Sequence, residues 1–195
     1  MTVHTSRVVA ERSGMRLVIR GRPQPGCGDV ITRLQSPQLI AGVELEPMEK
    51  FADDRGYLAE LFRFGEPGLA HDFVPAAGSR IQVAFTTSYP GIIKAIHYHL
   101  EHTDLWAPLS GMLQVVLYDL RESSPTCGRL NTVFIGDMRP WKVRIPAGIG
   151  HGYRVLGIEP CALIYAMDKF YDPQDEGRIP YDDPGINYDW VTRPK

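Results

Sequence analysis

The feature that most constrains this chain is the return, at short intervals, of a brief apolar or alternating run closed by a turn cluster. MRLVIR, LIAGVEL, GYLAELFR, RIQVAFTTS, IKAIHYHL, MLQVVLYDL, LNTVFIG, WKVRIP and CALIYAMD are such runs; PQPGCGD, ADDRG, SYPG, LSG, SSPTCG and IPAGIGHG separate them. Alternating β-branched and aromatic residues suit a half-buried strand, and Gly, Pro, Asn and Asp stop it. No long window carries an apolar stripe at helical spacing, and EPGLAHDF is the stretch that predicts a short helix. Many short strands must close their sheet edges, and the double-sheet jelly roll does so. The expected fold class is therefore all-β.

A chain of 195 residues buries enough surface for one core. We expect an N-terminal arm over residues 1–38 and a jelly-roll domain over 39–195. The arm holds Arg7, Arg12, Arg16, Arg20, Arg22 and Arg33 against Glu11 and Asp29, a local +4 that leaves −6 for the rest. That balance suits an arm packed on an acidic neighbour or a second subunit. A net charge of −2 gives no reason to expect nucleic acid or a membrane as partner. Cys27, Cys127 and Cys161 are an odd number at unpaired spacing, so neither a disulfide framework nor a thiolate metal knot is expected. With no apolar run of signal-peptide or membrane-helix length in view, the expected location is the cytoplasm.

Chemistry concentrates in GIIKAIHYHLEHTDLWAPLSG, residues 91–111. On a strand over 94–100, Ala95, His97 and His99 face one way and Ile96, Tyr98 and Leu100 the other. Both imidazoles then enter the same space, and a turn returns Asp104 toward them. Downstream, IPAGIGHGY places Pro146, Gly148 and His151 on a tight loop. In the plain reading His102 faces solvent, Glu101 is a surface charge, and the other histidines are pocket residues satisfied by hydrogen bonds.

The series Gly91, His97-x-His99, Asp104, Gly111 and Pro146-x-Gly148-x-x-His151 resembles the two metal-site motifs of the cupin superfamily. It differs in having Asp where Glu is usual and Arg154 where a polar amide is usual. His97, His99, Asp104 and His151 are thus candidate ligands for Fe(II), Mn(II), Ni(II) or Zn(II), since neutral nitrogen and a hard oxygen suit borderline ions.

A narrower resemblance covers about residues 39–190. FADDRGYLAELFR, YDLRESSPTCG, RIPAGIGHGY, LIYAMDKFYDP and PYDDPGINYDW, in that order, are similar to the dTDP-4-dehydrorhamnose 3,5-epimerase family. The resemblance implies a dimeric jelly roll that epimerises a 4-keto-6-deoxy sugar on dTDP without a metal. It implies His97 as the base, Tyr165 as the acid, Lys94 where the family has an arginine near the sugar, and His151 and Tyr171 in the pocket. By the same resemblance Arg55, Glu60 and Gln82 fall on segments expected to contact nucleotide, partly across the dimer. The plain alternatives are that Tyr165 and Tyr171 are core, that Asp119 and Arg121 close a turn, and that Arg55 caps the turn after Asp53-Asp54.

The departures lie in the site. His99 stands where the epimerases usually have glutamine, and Asp104 about where they have the lysine that faces the keto oxygen. A carboxylate some 4 Å from an enolate costs on the order of 4 kcal/mol at an effective dielectric of about 20, roughly three decades in rate. The family's aspartate behind the catalytic histidine lies beyond the DW segment, and only five residues follow Trp190, so His97 is expected to lack that partner.

Two repairs present themselves. Either a divalent ion on the four candidate ligands polarises the ketone, or Asp104 orients a histidine and Lys94 supplies charge. They assign His97 exclusive roles, as ligand or as base. The leading expectation is a sugar-nucleotide epimerase working by proton transfer next to a ketone. A metal-dependent cupin dioxygenase, isomerase or lyase is the alternative, and a non-catalytic sugar-binding homologue the third.

Overall fold

The computed structural model describes residues 6–74, 78 and 80–191. These form fifteen strands and no helix. One sheet has the order β15 (Glu176–Arg178), β8 (Ile93–His99), β13 (Ile149–Leu156), β10 (Met112–Asp119), β11 (Leu130–Gly136), β3 (Asp29–Ile31). The other runs β4 (Glu44–Pro47), β12 (Trp141–Ile145), β9 (Asp104–Ser110), β14 (Cys161–Met167), β7 (Gln82–Ser88). This is the expected all-β jelly roll of cupin type. Two hairpins, β1 (Ser6–Arg12) with β2 (Met15–Arg20) and β5 (Lys50–Asp53) with β6 (Gly56–Ala59), stand outside the sheets.

The sequence of β10 shows why the larger sheet reads as continuously apolar. Leu113, Val115 and Leu117 point between the sheets, where they meet Trp106, Val143, Ile145 and Leu163. Val116 and Tyr118 point outward into a second core built from Leu17 and Ile19 of β2 and from Ile179, Ile186, Tyr188 and Trp190 of the C-terminal segment. A sheet buried on both faces loses the polar alternation of a half-exposed one. Leu17 and Ile19, with Val9, Ala10 and Met15 beside them, therefore cover the outer face, and Asp29–Ile31 add β3, parallel to β11, to the sheet edge.

Three expectations change here. EPGLAHDF is a pair of turns, His71 N–H to Gly68 O and Phe73 N–H to Ala70 O, because Gly68 at φ +131° breaks helical geometry. His151 lies within strand β13 instead of on a loop; the turn ends at Gly148. The glycines that make IPAGIGHG look like a loop are there for space: a Cβ on Gly152 would lie 2.4 Å from the Ala95 Cβ and 2.6 Å from the Lys94 carbonyl oxygen. Finally, LIAGVEL and GYLAELFR yield strands only over Glu44–Pro47 and Gly56–Ala59.

The loop ahead of β13 is pinned from below. Asp119, fully buried, accepts from Arg121 Nε and Nη2 (both 2.9 Å) and from the Ser124 and Thr126 hydroxyls (both 2.5 Å). Arg121 in turn donates to Ala41 O at 2.6 Å, and its stem packs so closely that a Cβ on Gly148 would meet its Cγ at 2.5 Å. Burial alone would raise the Asp119 pKa, but Arg121 and the two hydroxyls outweigh it and hold the carboxyl below its usual range. A depressed folded pKa gives stability that is full above the unfolded value of about 3.9 and is lost as pH falls through the folded one. Asp119→Asn is expected to cost about 1–3 kcal/mol at pH 7. The deficit should shrink below about pH 4, as urea unfolding of both proteins at neutral and acid pH would show.

Candidate active site

The site begins with an irregularity in β8. Across the β8–β13 ladder His151 pairs with His97, but Tyr153 pairs with Lys94, so β8 spends an extra residue opposite Gly152. A bulge shifts the two-residue alternation by one. Ile96 and Tyr98 face the second core as expected, while His97 and His99 line a cavity of about 270 Å³. Lys94, three residues before His97, joins them only because of the bulge; Ala95 instead packs toward the second core. Thr86, Trp106, Tyr153, Leu163, Tyr165 and Met167 complete the walls from the facing sheet and β13.

His97 has a carboxylate partner, which corrects the expectation drawn from the end of the chain. Its Nδ1 lies 3.0 Å from Oε1 of Glu176, on β15, which pairs with β8 in the register Arg178 to His97. Arg178 Nε also donates to this oxygen at 3.0 Å. Burial would raise Glu176, but Arg178 and His97 prevail and hold it below the usual carboxylate range. An ionised carboxylate is acceptor-only, so Nδ1 carries the proton and Nε2 keeps its lone pair for the cavity. Burial, then the nearby His151, lowers the His97 pKa against the pull of Glu176, which favours the neutral ring.

Tyr165 lines the same cavity. Burial first, then the charge of Asp104, raises its pKa, so the phenol stays protonated at neutral pH. Lys94 extends Nζ to Thr86 Oγ1 at 2.8 Å.

The cavity floor holds a second group. Asp104, the buried first residue of β9, is faced by His99 Nε2 and His151 Nε2 at 3.5 and 3.3 Å from Oδ2, and by His102 Nε2 at 3.5 Å from Oδ1. His102 is 2% exposed, not solvent-facing. Asp175 draws it in, with Oδ1 accepting the Leu100 and Glu101 N–H groups (2.9 and 2.7 Å) and Oδ2 2.6 Å from His102 Nδ1. Glu101 is a surface charge paired with Arg12 and Lys169. Burial would raise Asp104, yet the three imidazoles hold it well below the usual range. It is thus not the bare anion that the substitution for lysine suggested; three rings share its charge.

One potential metal group emerges among the described residues: His99, Asp104 and His151, with ligand atoms within 4.8 Å of one another. His97 lies outside it, which corrects its place in the four-ligand set. The donor set fits a borderline divalent ion.

The nucleotide-segment residues are elsewhere. Arg55, exposed, donates its backbone N–H and its guanidinium to Asp53 within the β5–β6 turn; Glu60 pairs with Arg63. Gln82 Oε1 accepts the N–H of the exposed Tyr171 at 2.9 Å. None of the four lines the cavity. Sequence reasoning missed Glu176, Asp175 and His102 as site residues. The adjacent acids of DPQDEGR were the available signal, since two pocket imidazoles need two carboxylate partners.

Comparison with known proteins bears on the fold and the family. Over 156 residues the chain is 44% identical to the spore coat polysaccharide biosynthesis protein SpsL of Bacillus subtilis (strain 168), covering 79% of this chain and 98% of that one. The crystal structure of a dTDP sugar isomerase from Desulfovibrio desulfuricans G20 matches with a TM-score of 0.68 and 28% identity, over 77% of this chain and 92% of that one. A dTDP-6-deoxy-D-glucose-3,5-epimerase from Legionella pneumophila, solved with dTDP-4-keto-L-rhamnose, matches at 0.64 and 26%, over 76% and 78%. The family model for dTDP-4-dehydrorhamnose 3,5-epimerase matches residues 37–195, and with that span the chain belongs to this family.

Proposed function

We propose that the protein is a sugar-nucleotide epimerase that inverts carbon next to the ketone of a 4-keto-6-deoxyhexose. The observation that carries this reading is the His97–Glu176 pair on the cavity, with Tyr165 on the same cavity. Glu176 holds the ring in the tautomer whose Nε2 takes the proton from carbon, and the developing enolate is met by the Lys94 charge. Tyr165 returns a proton to the opposite face. His97 must be neutral and Tyr165 protonated for these roles, and the shifts of both favour those states.

Incubating the protein in heavy water with a dTDP-4-keto-6-deoxyhexose should place deuterium at carbon 3 or 5. No incorporation across several such sugars would overturn the reading. Tyr165→Phe separates the two half-reactions: exchange by His97 with retention should persist, while inverted product falls by roughly 10²-fold or more.

Further parts of the reading are a nucleotide-sugar substrate, a homodimer and a cytoplasmic setting. Val83 and Phe85, 56% and 60% exposed on the edge strand β7, support a second copy on that edge; a solution mass of twice 21.9 kDa tests it. In such a dimer Arg55 and Glu60 would serve the partner's cavity, with Gln82 and Tyr171 at the rim. A divalent ion, Fe, Mn, Ni or Zn, on the floor group would add positive charge beside the sugar. The proton transfers stay with His97 and Tyr165.

A further inference from the structure

We infer that the recess lined by Arg22 and Arg129, where the segment after β2 crosses the start of β11, binds a phosphate-type oxyanion at a site separate from the catalytic cavity. The recess measures about 400 Å³ and shares no lining residue with that cavity. The site is therefore independent of the epimerase reading.

Charge is the first support. Of the arginines that give the N-terminal arm its positive excess, Arg7, Arg12 and Arg16 pair with Asp183, Glu101 and Glu122. Arg20, Arg22 and Arg33 form no ion pair among the described residues. Arg22 lines the recess, and the stem of Arg20 lies along its wall, where a Cβ on Gly128 would stand 3.0 Å from the Arg20 Cβ. Arg129 lines it too, also without an acid. Its Nη1 donates to the carbonyl oxygens of Pro37 and Leu39, both at 3.3 Å, which leaves Nε and Nη2 for a ligand. Asp29 is the one acid on the wall, and it is exposed. Cys127 adds no charge, because burial raises its thiol pKa.

The second support is an orphaned donor. Arg22 Nε is buried and makes no hydrogen bond. A buried N–H on a cationic group that lacks an acceptor carries the full cost of its desolvation. An oxyanion supplies acceptor and countercharge together, and the planar guanidinium matches a phosphate with two parallel N–H···O bonds.

The third is that both walls are fixed in advance. On one side the Arg22 N–H donates to Gly185 O at 3.0 Å, Asn187 Nδ2 donates to Arg22 O at 3.2 Å, and Thr132 Oγ1 donates to Cys27 O at 2.7 Å. On the other, the Thr126 hydroxyl and the Gly128 N–H tie the turn to the carboxylate and the carbonyl of Asp119, at 2.5 and 2.8 Å. Gly28 closes the join, since a Cβ there would lie 2.1 Å from the Leu130 carbonyl oxygen. A recess built this rigidly loses little binding energy to ordering.

The test titrates the full chain with inorganic phosphate by calorimetry, with ionic strength held constant by sodium chloride. One equivalent per chain is expected, with a Kd of about 1 mM or tighter. Arg22→Gln and Arg129→Gln should each weaken binding by about 10-fold or more. Asp29→Asn, which removes the one opposing charge, should tighten it by about threefold. Lys94→Gln, which removes the cation of the catalytic cavity, should leave it unchanged. A wild-type Kd above about 20 mM, the behaviour of an adventitious ion only, would overturn the inference. So would undiminished binding in Arg22→Gln, or loss of binding in Lys94→Gln, which would put the ion in the catalytic cavity. Arg129 also holds two backbone carbonyls, so should Arg129→Gln not fold, Arg22→Gln and Asp29→Asn decide.

Discussion

His97→Asn is expected to lower kcat/KM for the keto sugar by roughly 10²–10⁴-fold, with little change in thermal unfolding. Asparagine can still meet Glu176 through its amide but offers no basic lone pair to the cavity. His97 is part-buried and makes one side-chain hydrogen bond, so its loss costs the fold little. Glu176→Gln should fall between wild type and His97→Asn. A glutamine amide can donate to Nδ1 as well as accept from it, so the ring is no longer locked in the tautomer with a free Nε2. Its signature is a larger change in kcat than in KM, since the substitution acts through the tautomer of His97. A His97→Asn protein retaining more than about a tenth of wild-type activity would show that the base lies elsewhere.

Gly152→Val is expected to destabilise the protein by about 3 kcal/mol or more, because the added carbons fall on backbone. The first new atom alone would sit 2.4 Å from the Ala95 Cβ and 2.6 Å from its Cα. Neither belongs to a side chain that can swing away. The strands must separate where the bulge brings Lys94 into the cavity, and the His151–His97 pairing next to it opens as well. For a chain of this size the loss corresponds to a drop in Tm on the order of 10 °C. Scanning calorimetry checks it, and a Gly152→Val protein melting like wild type would refute the packing argument.

The sequence was most legible where one strand served one purpose. MRLVIR, MLQVVLYDL and LNTVFIG announce strands because their side chains fill a core on one or both faces. The shared face of His97 and His99 followed from alternation, and the family order supplied the jelly roll. What stayed hidden was set by contacts distant in sequence. Glu176 reaches His97 because β15 pairs with β8; the adjacent acids of DPQDEGR offer carboxylates without saying which histidine each one meets. His102 looked like a surface residue until Asp175, far along the chain, gave its ring a buried acceptor. Lys94 belongs to the cavity through a bulge that depends on Gly152 having no side chain.

Those hidden contacts also bear on the choice between ligand and base. His97, for which the two repairs gave exclusive roles, is held by Glu176, and the floor group comprises His99, Asp104 and His151 without it. The measurement that bears most directly on this account is position-resolved deuterium uptake by wild-type and His97→Asn proteins, each given a dTDP-4-keto-6-deoxyhexose in heavy water. The account predicts label beside the ketone with the wild type and nearly none with His97→Asn. Equal labelling by the two, or none by either, would contradict it.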